Sequence, residues 1–267
     1  MSTLTYALVD SGVMLRRNLK RQLRYPSVTL QLIGLPIIFL LLFVFVFGGQ
    51  LGTGLPGAHG SGRGAYLNYV VPGILAMTVA AASLGTALSV AMDMTEGIID
   101  RFRTMSIARA SVLTGHVVGS LIQTLVGIAV VVGVAIALGF RPAAGPLGWL
   151  ACAGMLALFA FALIWFSAAL GLAAKSVETA SNTPTILTLL PFLGSGFVPP
   201  ATMPAGLRQF AEYQPFTPVT NTVRGLLTGT PLSTGTVIAA LAWSVGIIAV
   251  SYLWAIRLYN RRGARQG

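Results

Sequence analysis

Acidic side chains, cysteine and histidine are scarce in this sequence, and each scarcity removes a class of chemistry. Only 6 of the 267 residues are Asp or Glu against 17 Lys or Arg, and charged residues of both signs make up 9% of the chain. An average soluble domain carries roughly 25%. With 55% hydrophobic residues and a mean hydropathy of +0.82, the chain is expected to be an integral membrane protein. The single cysteine, Cys152, lies in an apolar run, which excludes a disulfide framework and a paired thiol metal site and leaves packing as its role. Two histidines, His59 and His116, stand at no metal-ligand spacing with carboxylates, so no metal is expected. A phosphate-binding loop needs glycines whose N–H groups cradle phosphate ahead of Lys-Ser/Thr. Lys175-Ser176 has Ala169 and Ala174 where those glycines should stand, so the chain is not expected to bind ATP. There is no Gly-x-Ser-x-Gly elbow, and no base is expected well inside a span to activate a buried serine. The sequence therefore points away from an enzyme and from any cofactor of its own.

The net charge of +11 does not imply nucleic acid, because the basic residues cluster beside apolar runs, where orientation in a bilayer accounts for them. Arginine outnumbers lysine 15 to 2 in a chain rich in Ala and Gly, a composition that fits a GC-rich bacterial genome and a bacterial plasma membrane. Six apolar runs follow one another, at about residues 28–47, 69–91, 112–138, 147–173, 183–198 and 237–256. About 20 apolar residues cross a bilayer, so the expected fold is all-α with six transmembrane helices. Pro72 is placed near the start of the second run, where a missing N–H costs little. The fifth run is short and interrupted by Pro184 and Pro191, so neighbouring helices must satisfy the carbonyls it frees. No charged residue is expected well inside any run, which argues against a proton pump or voltage sensor.

Ahead of the first run, Leu4, Leu8, Leu15 and Leu19 fall within about 60° on a helical wheel. Arg17, Lys20, Arg21 and Arg24 lie opposite. Residues 1–27 thus read as an amphipathic interfacial helix rather than a cleaved leader, residues 28–259 as one transmembrane domain, and residues 260–267 as a basic tail. With the first segment inside, inner segments hold thirteen Lys or Arg and outer ones four, Arg63, Arg141, Arg208 and Arg224. That asymmetry places both termini in the cytoplasm. Gln31 and Gln123 are polar groups at membrane depth that must find interhelical partners or line a substrate pathway. Gly115, Gly119, Gln123 and Gly127 form a stripe at four-residue spacing, suited to close helix packing within the chain or to a dimer seam. The stretch 199–236, dense in proline, reads as two short helices at 203–213 and 218–227 that dip into the outer leaflet without crossing.

The most concentrated charge lies between the second and third runs. Residues 92–109 hold Asp93, Glu96, Asp100, Arg101, Arg103 and Arg109, six of the 23 formal charges. A helix from Glu96 places Ile98, Phe102 and Met105 on one face and Glu96, Asp100, Arg103 and Thr104 on the other. It is too polar to span and suits a surface segment that offers one face to water or a partner.

Glu96-Gly97-Ile98-Ile99-Asp100-Arg101-Phe102-Arg103-Thr104-Met105 resembles the cytoplasmic signature of ABC-2 type permeases, in particular the daunorubicin-resistance DrrB/DrrC-like branch. Ser195 to Pro204, with Pro199, and Gln214 to Leu227, with Pro215, Pro218, Asn221 and Arg224, resemble the outer-face signature of the same family. Ser106 departs from it, since many members carry proline there. The resemblance implies the permease half of an ATP-driven exporter of a hydrophobic antibiotic, drug or lipid. It implies a P-loop ABC ATPase as partner, with ATP and Mg held on that chain, and a second permease subunit in a homodimer or heterodimer. It makes Glu96, Gly97, Asp100, Arg101, Phe102 and Arg103 the ATPase-coupling helix. An ATP-independent channel or a membrane assembly protein is the alternative that the apolar runs by themselves leave open.

Overall fold

A computed structural model of the chain describes residues 26–52, 62–95, 109–174, 176–182 and 185–263. The elements among them are all helical: α1 (Pro26–Leu41), continued by a π-helical segment (Leu42–Phe47) and the short α2 (Gly48–Leu51); α3 (Arg63–Thr95); α4 (Arg109–Ala137); α5 (Pro146–Ala173); α6 (Val177–Asn182); α7 (Thr185–Leu189) with a 3-10 turn (Leu190–Leu193); a second 3-10 turn (Pro200–Thr202); α8 (Ala205–Tyr213); α9 (Phe216–Thr228); and α10 (Thr234–Gly263). The expected all-α membrane architecture is present. Five helical segments, Leu32–Leu51, Arg63–Thr95, Gly115–Ala137, Pro146–Ala173 and Thr234–Leu258, are long and apolar enough to cross a bilayer. The fifth expected crossing, 183–198, is not one helix. Pro191 lies in the 3-10 turn after α7 and Gly194 and Gly196 follow it, so the ladder lacks a donor and stiffness where a continuous span needs both.

Helix α3 is the hub of the bundle. Its most apolar stretch is 78% buried, against 22% for α4 and 17% for α10, which present their sides outward. It is also longer than expected, 33 residues rather than the run 69–91, so Pro72 sits inside the helix and not at its first turn. An interior proline deprives the carbonyl four residues earlier, that of Asn68, of its helical donor. The small side chains along α3, including Ala76, Ala80, Ala87 and Ala91, let neighbours approach closely. At Gly171 of α5 an added Cβ would lie 2.5 Å from the Ala87 carbonyl oxygen and 3.1 Å from the Val90 Cβ. We expect Gly171→Ala to cost about 3 kcal/mol, the top of the usual range for overpacking because the nearest atom is backbone, read as a lower thermal midpoint of the detergent-solubilised protein. Gly127 of the expected small-residue stripe also packs within the chain, its Cβ position 3.5 Å from Ile33 and 3.7 Å from Thr78. Cys152 is buried in the core, as expected.

The π-helical segment carries Phe43 into a cluster with Phe192 and Phe197. The ring centroids are 4.7 Å apart for Phe43 and Phe197 and 4.6 Å for the stacked pair Phe192 and Phe197. Aromatic contact thereby ties the first span to the broken segment after α7, compensating for backbone continuity that the prolines remove.

Candidate functional site

Two polar sites lie toward opposite ends of α3. Tyr69 and Asp93, which mark them, are about 36 Å apart along the helix at 1.5 Å per residue.

The first is built from the proline-rich motif. Pro199 caps the 3-10 turn with its carbonyl accepting from the Thr202 N–H at 3.1 Å, and Pro204 caps α8 by accepting from the Arg208 N–H at 2.8 Å. Pro215 precedes α9, where φ −60° suits helix entry, and Pro218 is buried within its first turn, where its carbonyl accepts from Thr222 Oγ1 at 2.8 Å. Gly229 ends α9 at φ 70°, the left-handed conformation that glycine adopts without a Cβ clash. One turn earlier, Arg224 reaches across to α3. Its Nη2 donates to the Ser195 carbonyl at 2.7 Å and to the Tyr69 carbonyl at 3.2 Å, and Nη1 donates to Asn221 Oδ1 at 2.6 Å. The guanidinium carbon stands 4.0 Å from the Tyr69 ring centroid, a cation–π distance.

Asn221 Oδ1 also accepts from Ser195 Oγ at 2.7 Å, so both of its lone pairs are used. The Tyr69 hydroxyl donates to the Ser195 carbonyl at 3.0 Å, the Tyr66 hydroxyl to the Phe197 carbonyl at 3.1 Å, and the Ser195 N–H to Thr217 Oγ1 at 3.1 Å. The loop 194–198 is therefore held between α3 and α9. It presses so closely on α3 that Gly73 and Gly196 meet backbone to backbone. Burial lowers the Arg224 pKa from its ordinary value, with Tyr69 acting in the opposite sense; arginine starts high enough to stay charged at neutral pH. The Tyr69 carbonyl lies next to the one Pro72 sets free, so Arg224 supplies donors where the α3 ladder is weakest.

The second site joins residues that the sequence did not bring together. Asp93 and His116 are buried inside the helical bundle, 1% and 4% exposed, with His116 Nε2 and Asp93 Oδ2 2.9 Å apart. His116 Nδ1 lies 3.4 Å from Ser89 Oγ. The expected run ended at residue 91, and α3 runs on to Thr95 and carries Asp93 on its last turn. The sequence placed this aspartate among solvated charges, and no local pattern announces a partner 23 residues away. Ser, His and Asp here share the groups of a hydrolytic triad. Ser89, however, sits within α3, where its own N–H and those of its neighbours belong to the helical ladder, so it has no strand-to-helix elbow to supply an oxyanion hole. The arrangement joins two helices.

Of the other expected residues, Gln123 is half-buried on α4. The side chain of Gln31 and the whole of Glu96, Gly97, Asp100, Arg101, Phe102 and Arg103 fall outside the described residues, as does the interfacial segment before residue 26. Among the described residues no group of three or more His, Cys, Asp or Glu is placed to hold a metal.

Both sites flank or contain the stretches that carry the family resemblance, and comparison with known sequences decides the family. Residues 11–228 match the family described as ABC-2 type transporter, a span that includes both motifs. The chain belongs to that family. Among similar proteins, the daunorubicin resistance ABC transporter permease protein DrrB1 of Streptomyces coeruleorubidus is 31% identical over 242 residues, covering 90% of this chain and 82% of the relative. The probable doxorubicin resistance ABC transporter permease protein DrrC of Mycobacterium tuberculosis is 25% identical over 216 residues, 81% of this chain and 75% of the relative. This ABC-2 protein is thus a multi-pass membrane permease of the ABC transporter type, a transport subunit rather than an enzyme, similar to drug-resistance permeases.

Proposed function

We propose that this ABC-2 permease exports a hydrophobic drug or lipid across the bacterial plasma membrane, driven by ATP hydrolysis on a separate P-loop ATPase. The match over residues 11–228 carries the reading, since it spans both the charged segment and the proline-rich motif. The names of the two relatives point to a drug as cargo. The sequence has no phosphate-binding loop, which fits energy supplied by another subunit. Two permeases, identical or not, face each other across the pathway.

The chain crosses six times with both termini in the cytoplasm. The broken stretch 183–198 is the fifth crossing: 16 residues reach about 24 Å as helix and further where the chain is extended, near the roughly 30 Å of a hydrocarbon core. The excess of arginine on the inner segments supports this orientation. It puts Arg224 and α8 at the outer face. Helix α8 exposes Leu207, Phe210 and Tyr213 at three-residue spacing, as a helix lying in the outer leaflet would.

Residues 96–103 then face the cytosol and dock on the ATPase through Glu96, Asp100, Arg101 and Arg103, with Gly97 and Phe102 completing the segment. Nucleotide drives the permease between inward and outward states only through different affinities for the two. Reversing Arg101 and Arg103 to Glu is expected to leave membrane insertion intact and reduce capture of the partner ATPase by at least tenfold in a pull-down from detergent. The reading fails if capture by the reversed variants equals wild type, or if residues 96–103 label from outside the cell.

A further inference from the structure

The Asp93–His116 pair has no part in the activity derived above, and its placement gives it one. Asp93 lies three residues before Glu96, on the helix that leads into the charged segment, and His116 lies seven residues into the helix that follows it. Both side chains are buried, and their contact at 2.9 Å joins the two helices on either side of residues 96–108. We propose that Asp93 and His116 are positioning residues that lock α3 and α4 in one register, so that a push on the charged segment moves both spans as a single body. The functional half of this proposal rests on the exporter reading; the register lock does not.

Two physical arguments support it. Buried ionisable groups are costly and are retained where they perform a task that packing cannot. Replacing a buried ion pair with apolar residues of similar size is often neutral for stability, so cohesion is a weak reason for this pair to exist; fixing register is the better-attested use. Apolar contacts are non-directional. The residues close to the pair in sequence, Val90, Ala91 and Val117, are buried and small or aliphatic, and contacts of that kind would let two helices slide or rotate. A hydrogen bond from His116 Nε2 to a carboxylate oxygen fixes one geometry. Ser89 on the other ring nitrogen, at 3.4 Å, restrains the plane of the imidazole. Because α3 also holds Arg224 through the Tyr69 carbonyl, a register fixed near Asp93 is carried along a continuous helix to the proline-rich motif.

The test uses the full chain in lipid nanodiscs, with Cys152→Ser as background and spin labels at Thr95→Cys on α3 and Ile122→Cys on α4, both exposed positions. The interspin distance distribution is expected to be single and narrow in the parent and in Asp93→Asn, whose amide oxygen still accepts from His116. It should broaden at least twofold, or split, in Asp93→Leu/His116→Leu, which keeps the site filled and folded. In vesicles with the ATPase, and doxorubicin as fluorescent probe, the double-leucine variant should capture the ATPase as wild type does and hydrolyse ATP while moving at least tenfold less drug per ATP; Asp93→Asn should stay within threefold. An unchanged distance distribution in the double-leucine variant overturns the register lock. A broadened distribution with wild-type drug per ATP overturns the link to transport. Failure of the wild-type chain itself to bind the ATPase counts against the exporter reading, and the spectra still decide the register lock.

Discussion

Replacing Arg224 by alanine is expected to destabilise the permease by about 3 kcal/mol, measured as loss of thermal stability in detergent with export abolished in cells. Hydrogen bonds to a charged group contribute roughly 1.5–3 kcal/mol each, and removing one partner leaves the others unpaired in a buried setting. Arg224 engages two carbonyls, Asn221 and the Tyr69 ring at once. The contributions are not additive, because all of these groups share one network. Lysine at 224 keeps the charge and loses the planar fork that reaches Asn221 and two carbonyls together, so Arg224→Lys should recover less than half of the lost stability. Arg208, one helix earlier, provides the control. It pairs with Glu212 at 2.8 Å, but the side chains are 51% and 40% exposed. An exposed pair four residues apart on a helix contributes about 0.3–0.5 kcal/mol, and Arg208→Ala should pass almost unnoticed in the same assay.

The second large effect is expected at Gly73. Here α3 and the loop 194–198 touch backbone to backbone, and a Cβ added at Gly73 would stand 2.6 Å from the Gly196 Cα and still nearer its carbonyl oxygen. Ordinary overpacking costs about 1–3 kcal/mol when side chains can give. Backbone on both sides cannot give, and the loop is pinned by Arg224, Tyr69 and Thr217. We expect Gly73→Ala to cost about 3 kcal/mol or more, by extension of the same range, and Gly73→Val to prevent accumulation in the membrane, both read by fluorescence size-exclusion of the tagged protein. Gly154 on α5 has nothing within 4 Å of its Cβ position. Gly154→Ala should therefore stay within about 0.5 kcal/mol of wild type. Equal loss at 73 and 154 would mean that close approach is not what Gly73 provides.

Some of this was legible in the residues. Composition and the length of the apolar runs set the class, because burying so little charge in so much hydrocarbon leaves only membrane helices. The two short helices of the proline-rich stretch were expected at 203–213 and 218–227 and occur at Ala205–Tyr213 and Phe216–Thr228, because proline is favoured at helix starts. The family followed from two motifs in the right order. Arg224 was picked out as part of a motif, while its partners Tyr69 and Ser195 were not.

Those partners lie 155 and 29 residues away in sequence, and local periodicity carries no information about which helices meet. The same reason hid the Asp93–His116 pair, whose aspartate looks like one more charge at the edge of a polar segment. It also hid the Gly73–Gly196 crossing, since a chain containing 31 glycines gives no sign of which ones face another backbone. Hydrophobicity along the chain thus determined what this protein is made of and where it resides, because transfer of side chains into lipid depends on each residue's own chemistry. Tertiary structure alone decided that α3 is the hub, that an arginine braces its proline-weakened end and that a buried acid and imidazole join its other end to α4. Hydrogen bonds and steric contacts depend on which distant residues the packing brings within a few ångströms of one another.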